Sequence, residues 1–222
     1  MNFATPGLHT LLVAIVVCVA GTGASFVWID GHDPFSRTFS AMPGDARALL
    51  ENLAIFGHGT AVLIATLLIW NLDRHHRRNL GLVIAAPLFA GFLANLVKVI
   101  VQRPRPFVAE LPGLHSSSLG EVLMNNSMQS FPSGHTASAV ALALALACHY
   151  PKGRWLFLSL AIVTGFERVL SQSHFPSDVF AGAATGMFAF LLTRTIVQQG
   201  FLSVQWTSLL AKLALKKVIS VR

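Results

Sequence analysis

Six apolar runs constrain this chain more than any other feature of its 222 residues. Leu8–Ile29 and Leu53–Leu72 contain no Asp, Glu, Lys or Arg, and the second holds a single histidine, His58. Leu80–Val101 is apolar except for Asn95 and Lys98, and Pro132–Tyr150, Trp155–Val169 and Val179–Val197 follow. A helix crosses a bilayer with about 20 residues, roughly 17 to 25 being tolerated. The fifth run is the shortest because Glu167 and Arg168 close it. Only 11% of the residues are charged, against about a quarter in a typical soluble domain. These lengths predict an all-α integral membrane bundle of six transmembrane helices over residues 1–200. Residues 201–222 are expected to form a basic amphipathic tail on the inner leaflet, with Lys212, Lys216 and Lys217 between apolar positions.

Six crossings make the connecting loops alternate sides. Arg74, Arg77, Arg78, Lys152, Arg154, Arg194 and the basic residues of the tail fall on one side. Arg37, Arg47, Lys98, Arg103, Arg105 and Arg168 fall on the other and are fewer. The more basic side is expected to be cytoplasmic, which places both termini inside. The net charge of +7 is thus a topology signal. A nucleic-acid partner would call for a soluble basic face interleaved with aromatics, which the pattern lacks. The N-terminal residues carry no Lys or Arg, so the first run is expected to stay as an uncleaved helix. Cys18 and Cys148 lie within predicted helices, far apart and without metal-ligand spacing, and are expected to be small buried residues.

The polar residues inside this apolar frame gather at one face. The third helix ends, the fourth begins, the fifth ends and the sixth begins on the outer side. Those ends carry Lys98 and Arg105, then Pro132 to His135, then Arg168, then His174 and Asp178. Asn95, Lys98 and Gln102 have a spacing that predicts one shared helix face. Pro104 and Pro106 stop that helix and hold the arginines at its mouth. The stretch FPSGH sets Ser133 and Gly134 at a helix start, where free amides and the dipole suit an anion. Fixed cations around such a start describe a receptor for phosphate. His174 and His135 add nucleophilic or acid–base chemistry, and Asp178 stands four residues on, where it can orient the imidazole. The other histidines, His58 among them, are expected to be structural, and His115 lies in the long outer loop 102–131, a candidate lid. GAATG, Gly182–Gly186, predicts close helix packing.

KVIVQRPRP from Lys98, PSGH from Pro132 and ERVLSQSHFPSD from Glu167 together resemble the three motifs of the type 2 phosphatidic acid phosphatase superfamily of membrane lipid phosphatases. The resemblance implies His174 as nucleophile, Asp178 as its orienting partner and His135 as general acid. It implies Lys98, Arg105, Ser133, Gly134 and Arg168 as the phosphate cradle, with no metal and no other cofactor. The family's serine before the arginine is Glu167 here, and this carboxylate is expected to turn aside onto Arg168 or Arg103, or else to narrow the substrate range. The expected activity is hydrolysis of a lipid phosphate or pyrophosphate, such as undecaprenyl pyrophosphate, phosphatidylglycerol phosphate, phosphatidic acid or lipid A phosphate. The expected setting is a bacterial inner membrane, with the site at the periplasmic end and membrane lipids as neighbours. A phosphotransferase using the same intermediate is a second reading, and a transporter with a cationic vestibule is a third.

Overall fold

A computed structural model describes residues 7–30, 36–109 and 126–198. The long helices form where the apolar runs predict them. These are α1 (Leu8–Trp28), α4 (Gly59–Leu72), α5 (Leu80–Val101), α7 (Gly134–His149), α8 (Arg154–Leu170) and α9 (Pro176–Gln198). The shorter α2 (Ser36–Ala41), α3 (Gly44–Ala54) and α6 (Pro106–Ala109) lie between them. There is no strand among the described residues. The 201–222 tail and most of the candidate lid, residues 110–125, lie outside them.

α5, α7 and α9 pack on one another, and α1 lies along α9. The core is made of Val83, Ala86, Ala90 and Ala94 from α5, Ala137, Ala141 and Leu142 from α7, and Phe190 from α9, each fully buried. α7 is apolar on all sides because it is surrounded, as a helix without a polar face must be. The expected close packing at GAATG is present. A Cβ on Gly182 would stand 2.5 Å from the Ser133 carbonyl oxygen, and one on Gly186 would stand 2.4 Å from that of Ala137. Only glycine lets α9 come so near the start of α7. Around this core Val16, Trp28, Leu63, Leu88, Phe92, Ile100, Ile162 and Phe188 point outward, an apolar surface suited to lipid and far too broad for a water-soluble monomer.

Among the described residues three helices are long and apolar enough to cross a membrane, namely Leu8–Trp28, Leu80–Val101 and Pro176–Val197. A fourth crossing requires Gly44–Gly57 and Gly59–Leu72 to act as one, with a bend of 69° between them. The second apolar run is therefore not the straight span Leu53–Leu72 that its hydropathy predicts. Its helix breaks at the 3₁₀ turn Ile55–Gly57, and α3, most of which precedes the run, forms the other half of the bent pair. The reason is tertiary. Gly57 is wedged so closely that a Cβ there would lie 2.6 Å from the His135 carbonyl oxygen and 2.8 Å from the Thr164 side chain. α7 has 16 residues, about 24 Å of helix, and α8 has 17.

Candidate active site

α5 runs toward the site and ends at Val101, where Gln102 takes a left-handed backbone (φ 50°) and the prolines follow. Lys98 sits in its last turn and is buried. It shares its face with Ala94 and Ala90, whereas Asn95 is exposed. The expected common face of Asn95, Lys98 and Gln102 is therefore corrected: core packing of the alanines set the buried stripe. Burying a lysine is costly unless something anionic answers it, and the Lys98 ammonium points at the start of α7. A Cβ added to Gly134 would stand 3.7 Å from its Nζ.

α7 starts at that point. Ser133 caps it, its hydroxyl accepting from the Thr136 amide (3.4 Å) and the Thr136 hydroxyl (2.9 Å). The Ser133 amide donates to the Asp178 carbonyl oxygen at 2.9 Å, so its own hydroxyl proton is what it can still offer a ligand. Gly134 and His135 occupy the first turn, where amide groups have no partner within the helix.

The turn between α8 and α9 supplies the rest. Ser173 and His174 donate their amides back to the Arg168 carbonyl oxygen at 3.1 and 3.0 Å, closing a loop in which Gln172 is left-handed (φ 57°). The loop carries His174 into the interior, 2% exposed. Its Nδ1 stands 3.6 Å from Asp178 Oδ2, an ion-pair distance too long for a hydrogen bond, and makes no hydrogen bond among the described residues. Catalytic contacts are often long before substrate binds. Burial drives the His174 pKa below its ordinary value, against the pull of Asp178, and the charges of Arg105 and Lys98 add to the lowering.

Asp178 is held from all sides. Ser130 donates its hydroxyl to Oδ2 at 2.5 Å, the Phe175 amide donates to the same oxygen at 2.9 Å, and Arg103 Nη1 donates to Oδ1 at 2.7 Å. The sequence assigns Arg105 from RPRP to the phosphate and names Arg103 only as a candidate partner of Glu167, whereas Arg103 binds Asp178; Ser130 carries no sequence signal. The alternation of Arg and Pro was the available signal, since it sends neighbouring arginines different ways.

The structure brings the expected residues together. Lys98 lies within electrostatic reach of Arg105 and Asp178, Arg105 of Arg168, and His135 of Arg168, Lys98 and His174. Arg105 spends Nε on the Asn126 carbonyl oxygen (2.9 Å), and among the described residues its terminal nitrogens are left for a ligand. Glu167, 1% exposed, turns onto Arg168 Nε as expected. A further histidine also enters. The His58 ring lies 4.3 Å from the His135 ring, centroid to centroid, which brings this histidine beside the site. FGHGT was its signal, a histidine flanked by glycines inside an apolar run. No three His, Cys, Asp or Glu side chains form a metal-binding group among the described residues.

Comparison with known proteins adds the context. The family model described as the PAP2 superfamily matches residues 78–201, more than half of the chain and all of the site residues expected from the sequence. A lipid A 1-phosphatase of Rhizobium johnstonii is 38% identical over 109 residues, 49% of this chain and 44% of that protein. The chain thus spans about half the length of that relative. The undecaprenyl-diphosphatase BcrC of Bacillus subtilis is 26% identical, over 66% of this chain and 75% of its own. The structure is similar in fold to a PAP2-type phosphatidylglycerolphosphate phosphatase from Bacillus subtilis, with a TM-score of 0.57, 20% identity, and coverage of 85% and 94% of the two chains.

Proposed function

The chain belongs to the PAP2 superfamily, and from that membership we propose that it is a membrane phosphatase hydrolysing a lipid phosphate or lipid pyrophosphate through a phosphohistidine. One observation carries the reading. Lys98 Nζ lies 3.7 Å from where a Cβ on Gly134 would stand at the α7 N-terminus, and Lys98, Arg105 and Arg168 lie close enough to His135 or His174 for their charges to act on the imidazoles.

In this mechanism the cations and the first-turn amides of α7 hold the phosphoryl oxygens and offset their charge in the transition state. Asp178 takes the Nδ1 side of His174, so Nε2 is the attacking nitrogen. The Nε2 lone pair forms a bond to phosphorus, the bond from phosphorus to the leaving oxygen breaks, and His135 donates a proton to that oxygen. Water then gives a proton to His135 and attacks phosphorus. The P–N bond breaks, and inorganic phosphate and free His174 result. Glu167, spent on Arg168, orients that guanidinium and stays off the phosphate. No step requires a metal or other cofactor.

The substrate class follows from where this centre lies. It sits at one end of an apolar bundle, so the phosphate is at the mouth and the tail lies along the helices. The relatives named for lipid A and undecaprenyl diphosphate act on such molecules, and both belong on the substrate panel. In a bacterial inner membrane, α7 and α8 would complete six crossings. The basic turns and both termini would then be cytoplasmic and the site periplasmic.

The test is phosphate release by detergent-purified protein from lipid A, undecaprenyl diphosphate and phosphatidylglycerol phosphate, with EDTA present. Release that resists EDTA and falls by about 10³-fold or more in His174→Ala is the expected result. Full activity in the variant, or loss of wild-type activity with EDTA, would contradict the mechanism.

A further inference from the structure

Helix α1 lies outside the matched family region, yet its end reaches the site. Asp30, just past α1, has a side chain only 5% exposed. Its Oδ2 accepts from Arg103 Nη2 at 2.9 Å and from the Ser177 hydroxyl, and its Oδ1 accepts from the Ser177 amide at 3.3 Å. The other arm of the same guanidinium, Nη1, donates to Asp178 Oδ1 at 2.7 Å. Phe26 from α1 and Phe175 flank Arg103, with ring centroids 5.1 and 4.0 Å from its guanidinium carbon.

We infer that Asp30 is a positioning residue for the reaction, acting through Arg103 on the carboxylate that faces His174; this rests on the phosphohistidine reading above. Charge supplies the argument. Alone with Asp178, Arg103 would neutralise it, and the carboxylate would have little left for an imidazole 3.6 Å away. Asp30 takes up the arginine's charge, so the Asp30–Arg103–Asp178 group keeps one net negative charge. When Nε2 bonds to phosphorus the imidazole becomes cationic, and that remaining charge stabilises it. Asp30 also receives the amide of Ser177 in the first turn of α9, where an acceptor and a negative charge favour the helix. The same contact therefore fixes the helix that bears Asp178.

Asp30→Asn separates the two roles. The amide keeps the shape and an oxygen for Ser177, but loses the charge. The groups acting on His174 are Asp178 from α9, and Arg105 and Lys98 from and beyond the end of α5, with His135 facing it from α7. Without the Asp30 charge, Arg103 weakens Asp178 and the imidazolium is less stable. The expected result is a kcat lowered roughly 10- to 100-fold with KM little changed, an acid limb of kcat/KM moved to lower pH, and recovery of most activity in Asp30→Glu. A wild-type kcat with an unmoved acid limb would overturn the inference, and so would a loss of thermal stability with the acid limb unmoved. His174→Ala is run beside it. An active His174→Ala would overturn the phosphohistidine reading and this inference with it, whereas an inactive His174→Ala beside an unaltered Asp30→Asn would overturn the inference alone.

Discussion

The two ends of α5 and α7 carry the same kinds of residue and use them in opposite ways. Before α5 and after α7, Asp73 pairs with His76 Nδ1 at 2.6 Å, accepts the Tyr150 hydroxyl at 3.1 Å, and accepts the amides of His75 and His76 at 3.1 and 3.2 Å. Arg77 donates to the Trp70 carbonyl oxygen at 2.6 Å and covers its ring. This end closes on itself and ties the α4–α5 turn to the end of α7. Burial alone would raise the Asp73 pKa, but the bonds from His76 and Tyr150 outweigh it and hold the carboxyl below its usual range. At the other end the acids are consumed and two of the cations are not. Asp178 and Asp30 share Arg103, and Glu167 takes one side of Arg168. Lys98 and Arg105 have no carboxylate bridged to them among the described residues. The two ends differ in this surplus of positive charge around a helix start, and not in the residue types.

Three results would sharpen or break that contrast. The largest effect is expected at His135. His135→Ala should lower turnover by about 10²–10⁴-fold, the range for losing an acid–base group, with the folded protein still monodisperse in detergent. The wild-type pH profile comes next. Only neutral His174 can attack, and its depressed pKa keeps it neutral further into acid. The acid limb of kcat/KM should therefore fall below the ordinary histidine value of about 6.5. A limb above that value would mean that burial does not govern this imidazole. The smallest effect is expected at the closed end. Asp73→Asn should leave turnover within about twofold and lower only the thermal midpoint, as for a surface tie. A loss of turnover rivalling that of His135→Ala would erase the distinction between the ends.

The helical frame and the candidate site residues were legible in the sequence because both depend on local chemistry. Apolar run length set the helices, and Lys98, His135, His174 and Asp178 stood out as costly groups in apolar surroundings. The residues around them depend on approach between distant segments, which spacing does not encode. Ser130 reaches Asp178 from the residues before α7, and Asp30, just past α1, reaches it through Arg103. His58 reaches His135 only because α3 and α4 bend at Gly57, and that bend is set by contact with α7 and α8. Asn95 misled for a related reason, since three- and four-residue spacing describes a stripe but packing decides which stripe is buried.

The phosphohistidine is the centre of this account, and trapping it is the most direct test. Protein mixed with a ³²P-labelled lipid phosphate is quenched in alkali within one turnover, digested, and the labelled peptide identified. The expected result is an acid-labile, alkali-stable label on the peptide containing His174, absent from His174→Ala. Product formed at full rate with no label on that peptide would mean that water attacks phosphorus directly, and the nucleophilic role of His174 would be wrong.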